Sequence, residues 1–295
     1  MKVVDISHYN GTVNFNRLKA AAEGVIVRLG YRGYSKGALV TDGNYLDNMK
    51  KATAAGFKVG VYFVTQAISE EEAREEARYT LERAKEFYPY FPIFIDTENG
   101  NAAKTGRADE GKLTAAKRTA IIKAFCEEIE KGGYKAGIYA SESWFKDNLQ
   151  LNPLSKYYLW VAKYSKNKPA IKYNAWQYTA QGRVEGITGY CDVSDFIIPK
   201  LTNNQVVDEV IAGLWGNGAE RKIRLAAAGY NANEIQSLVN KKLGTSTKPM
   251  YYLIKKGDTL SSIAKMFTTT VKQLQEWNNI KDANKIKAGV KIRVR

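Results

Sequence analysis

Phe91-Pro92-Ile93-Phe94-Ile95-Asp96-Thr97-Glu98 is an apolar run that ends abruptly in two acids. A run this short and this apolar reads as a buried strand. Side chains alternate in direction along a strand, so Asp96 and Glu98 point to one side at its tip, with Cα atoms roughly 6.6 Å apart. Two carboxylates on one face of a buried strand end suit acid–base chemistry, one serving as a charged helper and the other as a general acid with a raised pKa. The plainer alternative is an acidic strand end that meets a loop or caps a helix.

Working outward, residues 1–199 alternate strand-like with helical patterns. The strand candidates are Lys2–Ile6, Gly24–Leu29, Val59–Val64, Pro92–Thr97, Ala136–Ala140, Tyr158–Ala162, Ala175–Tyr178 and Cys191–Phe196. Helical periodicity falls near Phe15–Ala22, Asp42–Ala55, Ser69–Phe87, Thr114–Gly132 and Ser143–Leu149. Ser69 followed by Glu72 is a capping-box signature, and Gly132-Gly133 is a helix stop. Such alternation predicts an α/β fold with a mostly parallel sheet closed into a barrel, whose regularity fails where the late strands lose their helices.

The predicted strand ends are polar or aromatic: Asp5, Tyr62, Asp96 with Glu98, Tyr139, Trp160, Gln177 with Tyr178, and Asp192. In a parallel β/α barrel the C-terminal strand ends line one mouth, where active sites sit. Acids ringed by Tyr and Trp suit a sugar, because aromatic faces stack on the C–H faces of pyranose rings. Core packing is the alternative for any single aromatic. Asp5 can instead cap a turn, and Asp192 can pair with an arginine.

The 295 residues are 44% hydrophobic and 25% charged, the composition of a soluble globular protein with one large domain and smaller ones. No stretch approaches the ~18–20 apolar residues of a membrane span. Met1–Ser7 enters strand-like sequence with no apolar segment before it, so no Sec-type leader is expected. Cys126 and Cys191 have neither metal nor redox spacing and are expected as reduced core thiols, and a single histidine argues against a His-rich metal site and a Ser-His-Asp triad. No metal and no cofactor is implied. The net charge of +15 is uneven: residues 200–295 carry 17 Lys and Arg against 7 Asp and Glu. A basic tail region suggests a polyanionic partner, whether nucleic acid, an anionic membrane or a teichoic-acid-rich wall.

The motifs Asp5-Ile6-Ser7-His8-Tyr9-Asn10-Gly11, Gly60-Val61-Tyr62-Phe63, Ile95-Asp96-Thr97-Glu98, Gly137-Ile138-Tyr139-Ala140-Ser141, Trp160-Val161-Ala162, Trp176-Gln177-Tyr178 and Asp192-Val193-Ser194-Asp195-Phe196 occur in one order. Together they resemble glycoside hydrolase family 25, the lysozymes similar to Chalaropsis-type N-acetylmuramidases. The resemblance covers residues 1–199. It implies an irregular, flattened (β/α)5(β)3 barrel that cleaves the β-1,4 bond from N-acetylmuramic acid to N-acetylglucosamine in peptidoglycan. It further implies Glu98 as general acid, Asp96 as the residue that orients or stabilises the substrate acetamido group, and Asp5 and Asp192 as supporting acids. Tyr62, Tyr139, Trp160, Trp176, Gln177 and Tyr178 are the implied substrate-binding residues, and His8 receives no catalytic role. Neighbouring-group participation and direct water attack both stay open, with the Asp-x-Glu spacing resembling substrate-assisted hexosaminidases. An N-acetylglucosaminidase or chitinase-like hydrolase and a non-catalytic wall-binding protein are the alternatives.

Leu201–Asn204 reads as a linker, and three short helices follow to Leu243, broken at Gly216-Asn217-Gly218 and Gly229-Tyr230-Asn231. With Arg221-Lys222-Ile223-Arg224-Leu225, this segment (204–244) is similar to the CW-seven wall-binding repeat, which implies Asp208, Trp215, Asn217, Arg221 and Arg224 as contacts. The other reading is a helical spacer. Thr245–Pro249 reads as a second linker. Met250–Arg295 reads strand, helix, helix, strand, and Gly257-Asp258-Thr259-Leu260-Ser261, Trp277-Asn278-Asn279 and Asn284–Gly289 resemble a LysM module. That resemblance implies a small βααβ glycan binder with Gly257, Asp258, Thr259, Leu260, Asn284, Lys285 and Ile286 at its groove. The expected partner is therefore Gram-positive peptidoglycan, with the basic residues forming a solvated face that favours an anionic wall and nucleic acid as the lesser alternative. The expected setting is a phage endolysin made in the host cytoplasm and released through holin pores, or alternatively a secreted bacterial autolysin. Oligomeric state is not implied.

Overall fold

A computed structural model describes residues 1–198, 200–243, 250–267 and 269–294. The barrel strands are β1 (Lys2–Ile6), β2 (Gly24–Arg32), β4 (Lys58–Val64), β5 (Ile93–Asp96), β6 (Ala136–Ser141), β7 (Tyr158–Ala162), β8 (Ala175–Gly182) and β9 (Cys191–Phe196). A short β3 (Leu39–Thr41) hairpins onto β2 outside the ring. The sheet order is β1-β9-β8-β7-β6-β5-β4-β2, and β1 also pairs with β2, so the ring closes. Every pairing in the ring is parallel except the two made by β9, which runs antiparallel to both β8 and β1. Helices α1 (Phe15–Leu18), α2 (Tyr45–Ala54), α3 (Glu70–Ala84), α4 (Ala115–Lys131) and α5 (Glu142–Asp147) follow the first five barrel strands, and the last three strands have none between them. This is the (β/α)5(β)3 arrangement.

All eight strand candidates are present. The unforeseen strand is β3, three residues long and preceded by the loop from Gly33 to Ala38. Helix starts follow the caps. Ser69 Oγ accepts from Glu72 N at 3.2 Å, although the Glu72 carboxylate reaches back to Ile68 N (2.9 Å) instead of Ser69. Thr114 and Ser141 cap α4 and α5 in the same way.

Alternation divides each strand between two cores. Outward residues such as Val25, Val27, Val61, Ile93, Ile95 and Ile138 pack beneath the helices. Inward residues Val3, Ile26, Phe91, Phe94, Trp160, Ala175 and Phe196 fill the ring's interior. Gly60 and Gly137 make that filling fit: an added Cβ would lie 2.9 Å from Phe91 Cβ and 2.3 Å from Phe94 Cε1 respectively. One pleat above this apolar floor the inward positions turn polar. Val3 is followed by Asp5, Ile26 by Arg28, Phe94 by Asp96 and Ala175 by Gln177; antiparallel β9 runs down from Asp192 through Ser194 to Phe196.

Helices α6 (Asn203–Ile211), α7 (Gly218–Ala227) and α8 (Ala232–Lys242) follow, with breaks at the two expected glycine-containing turns. By its internal contacts the chain divides into two compact units, Met1–Ile235 and Gln236–Arg295, a cut that falls inside α8. In the first unit, α6 and α7 are fastened to the loop between α4 and β6: Arg224 of α7 donates to Gly133 O (2.7 Å) and lies over the Tyr134 ring, while Lys135 pairs with Glu209 of α6 at 2.8 Å. In the second, β10 (Tyr251–Leu253) pairs antiparallel with β11 (Lys291–Arg293), and α9 (Leu260–Met266) and α10 (Val271–Asn278) lie between them in sequence. Its core holds Ile254, Leu260, Ile263, Leu274, Ile292 and Val294. The linker expected at Thr245–Pro249 lies outside the described residues. Among the described residues, no helix is long and apolar enough to cross a membrane. Cys126 and Cys191 are free and buried.

Candidate active site

The polar pleat gathers the expected acids at the C-terminal ends of the parallel strands. Asp5 and Asp192 are direct partners in the β1–β9 pairing, so both side chains leave the sheet on the inner face. The charge of Asp192 bears directly on Asp5. Gln177 Nε2 donates to Asp5 Oδ2 at 3.0 Å, and the Gln177 carbonyl accepts from the hydroxyls of Tyr139 (2.8 Å) and Tyr164 (2.7 Å). Asp96, in register with Val64 on one side and Tyr139 on the other, is 4% exposed, and its Oδ1 accepts no hydrogen bond. Glu98 stands exposed at the rim, just beyond the strand.

Loss of water pushes all four acids toward their protonated forms, and neighbouring carboxylates add to it at Asp5, Asp96 and Glu98. Burial raises Asp5 well above its ordinary range, and Asp192 adds to it. Burial and then Glu98 do the same to Asp96. The Glu98 carboxyl is largely turned from water although the residue as a whole is exposed, and this loss of water, followed by the charge of Asp192, raises it; burial pushes Asp192 up to about 6. Tyr62 and Tyr139 are raised well above the usual phenol range by burial and stay neutral hydrogen-bonding groups.

The loop that carries Glu98 is held by residues the sequence reading passed over. The Asp109 carboxylate, wholly buried, accepts from Gly100 N and Gly106 N, each at 2.6 Å, and from Gln66 Nε2 at 3.2 Å. Gln66 Oε1 takes Ala108 N at 2.9 Å, and Arg118 donates to the carbonyls of Ala108 and Asp109. An isolated Asp in a polar loop gives no periodic signal, so only the fold reveals it. Beside Glu98 opens a cleft of about 430 Å³, bounded by Asn99, Asn101, Ser141, Ser143 and Trp144.

The aromatic expectations divide. Tyr62 and Tyr139 are half-buried at the mouth. Trp160 is 1% exposed, part of the interior floor, with its indole N–H given to Ser194 Oγ at 3.0 Å; it supports the mouth from below and offers no face to a sugar. Trp176 and Tyr178 flank Gln177 on the opposite, outward side of β8, where Tyr178 packs on the helix-side core, so of that trio only Gln177 points inward. Tyr164, 58% exposed and bonded to Gln177, was not foreseen.

In the three-helix segment Trp215 is buried and donates to Glu209 at 2.9 Å, and Arg224 is spent on Gly133 O and Leu214 O. Arg221 reaches Gly216 O and Asn217 Oδ1, leaving Asp208, Asn217 and Arg221 as the more accessible of the expected contacts. In the C-terminal unit Leu260 belongs to the core, Thr259 caps α9, and Asp258 accepts from Lys255 N (2.7 Å) and Tyr252 Oη (2.9 Å). Asn284 and Lys285 are exposed, and Ile286 packs against the core from its edge.

Residues 4–187 match the family described as glycosyl hydrolases family 25. The chain belongs to that family. Residues 204–243 match the CW_7 repeat and residues 252–295 the LysM domain. Among curated relatives, the family 25 chain is 27% identical over 213 residues to an autolytic lysozyme of Clostridium acetobutylicum, covering 70% of this chain and 59% of that one. It is 28% identical over 190 residues to the lysozyme of Streptococcus phage Cp-7, covering 58% and 52%. The chain thus spans a little over half the length of these relatives. Among solved structures, the modular autolysin LytC of Streptococcus pneumoniae superposes with a TM-score of 0.58 at 28% identity, over 65% of this chain and 46% of that one. The CTP1L endolysin gives 0.55 at 26% identity, over 71% and 69%.

Proposed function

We propose that this family 25 hydrolase is a peptidoglycan N-acetylmuramidase that works with help from its substrate's own acetamido group. The observation that carries the reading is the pair at the end of β5: a buried Asp96 with an unused carboxylate oxygen, beside a rim Glu98 whose surroundings favour its protonated form. In this reading Asp96 accepts the N–H of the 2-acetamido group and turns its carbonyl oxygen onto the anomeric carbon. Glu98 gives its proton to the departing glycosidic oxygen as the C–O bond breaks. Water then opens the cyclic intermediate, returning a proton to Glu98 and leaving retained configuration. Asp5 and Asp192, both held toward their protonated forms, present a mouth of reduced negative charge, and Gln177 fixes Asp5. The cleft beside Glu98 has room for the sugar on the leaving side.

For the whole chain we propose a division into a catalytic barrel (1–199), a wall-binding repeat (204–244) and a LysM glycan binder (250–295), whose joint hold keeps the enzyme on an insoluble substrate. The setting we favour is release of an endolysin in phage lysis. Expression with and without a co-expressed pore-former tests it: lysis that needs the pore supports this setting, and unaided lysis points to an autolysin.

The deciding experiment is reducing-end analysis of Gram-positive peptidoglycan digested in parallel by wild type and Glu98→Gln. Muramic acid ends from wild type alone are expected. N-acetylglucosamine ends would move the chain to the glucosaminidases, and no new ends from either protein would leave a glycan-binding protein.

A further inference from the structure

A tyrosine at a protein surface ordinarily lays its ring against apolar neighbours and turns its hydroxyl to water. Tyr164 does the reverse. Its hydroxyl is bonded inward, 2.7 Å from Oε1 of the buried Gln177, yet the residue as a whole is 58% exposed, so it is the ring that meets solvent. Tyr139 supplies the contrast. It donates to the same carbonyl at 2.8 Å, but its ring packs edge-on against Trp160, with centroids 4.7 Å apart. The two hydroxyls take up both lone pairs of the Gln177 carbonyl, and the amide nitrogen faces Asp5 at 3.0 Å. The Tyr164 ring is thereby fixed in orientation at the mouth.

The backbone beneath it is held as well. Lys163, the first residue after β7, donates its N–H to Gln177 O, and its carbonyl accepts from the Trp176 indole, both at 2.9 Å. Lys163 Nζ pairs with Glu142 Oε2 at 2.9 Å, and Glu142 Oε1 takes Ala170 N at 2.6 Å, so the β7–β8 loop is tied at two points to the start of α5. The cleft beside Glu98 is walled by other elements, the loop after β5 and the β6–α5 segment. An aromatic face held rigid and left to water keeps a hydration cost that a covering ligand removes. We infer that Tyr164 is a substrate-binding residue, a platform on the Gln177–Asp5 side of the mouth whose ring stacks on the C–H face of a sugar of the glycan. Trp176, directed outward, contributes at one remove by anchoring the backbone that carries the platform.

The inference rests on the hydrolase reading for its substrate, and KM and kcat on a soluble tetrasaccharide of alternating N-acetylglucosamine and N-acetylmuramic acid test it. Tyr164→Leu removes the aromatic face and is expected to raise KM roughly tenfold, with kcat within about twofold of wild type. Tyr164→Phe keeps the face and loses only the bond to Gln177, and is expected to raise KM no more than about threefold. Tyr164→Trp also offers a face without that bond and should group with Tyr164→Phe. Thermal melting checks that each variant is folded. Equal KM values for Tyr164→Leu and Tyr164→Phe, or a loss confined to kcat, would overturn the inference and leave Tyr164 a brace for Gln177. A wild type that leaves glycan uncut would instead overturn the hydrolase reading, so the two failures are told apart.

Discussion

Replacing Asp192 by Asn should stabilise this protein at neutral pH and leave its stability at acid pH unchanged. The folded structure pushes the Asp192 carboxyl up to about 6, against an ordinary value near 3.9 in the unfolded chain. A raised carboxyl pKa means that the folded state holds the proton more tightly. The resulting stability is complete below about pH 4, drains away as pH climbs, and is gone once pH has passed about 6. Two units of difference correspond to about 3 kcal/mol. The side chain is partly open to solvent, so about 2 kcal/mol is the realistic cost of ionising Asp192 beside Asp5. For a barrel of this size that is about 4–8 °C in Tm. Asn carries no charge, so the variant escapes the penalty. The assay is calorimetry of wild type and Asp192→Asn at pH 4 and pH 7.5. Equal melting at pH 4 with a gain at pH 7.5 is expected. A gain of the same size at both values, or none at either, would refute the account of a buried Asp192 carboxyl.

Other perturbations probe the remaining layers. Gly137→Ala drives a methyl into Phe94; a loss of about 1–3 kcal/mol is expected in denaturant titration, and Gly137→Ala with Phe94→Leu should recover part of it. Asp109→Asn puts an amide N–H2 against Gly100 N or Gly106 N; about 2 kcal/mol should be lost, with kcat falling more than KM rises, because the loop bearing Glu98 loosens. Arg224→Ala removes donors to Gly133 O and Leu214 O; proteases should then cut within 200–217 faster while barrel melting changes little. Deleting 204–295 should slow clearing of whole cells more than hydrolysis of soluble fragments, and equal clearing by the shortened chain would defeat the anchoring argument.

What the sequence made legible follows from periodicity. The eight barrel strands announce themselves because their outward residues face helices and their lower inward residues face one another, so both faces are apolar for most of the length. The acids stood out because each breaks such a run. Arg28 broke one too, inside the strand expected at Gly24–Leu29, but drew no notice, and its partner Asp42 looked like a helix start. Trp160 misled for the opposite reason: its position in the pleat matches the strand-end aromatics, but β7 sets it one level lower, against Phe94 and Phe196 at 5.1 and 5.4 Å. Residue type and spacing gave the side of the sheet; depth along the barrel axis required the register. Asp109 and Gln66 depend on chain reversals that no period encodes.

The reversed direction of β9 has a consequence for the chain's exit. By running down the ring, it delivers the chain to the level of Met1, where Phe196 and Met1 exchange backbone hydrogen bonds at 2.9 and 3.0 Å. An all-parallel eighth strand would have sent the following segment out across the catalytic opening. As built, the exit lies at the opposite pole, and the attachment point there is sequestered from substrate traffic. The place where the chain leaves the barrel is thus written into the direction of one strand.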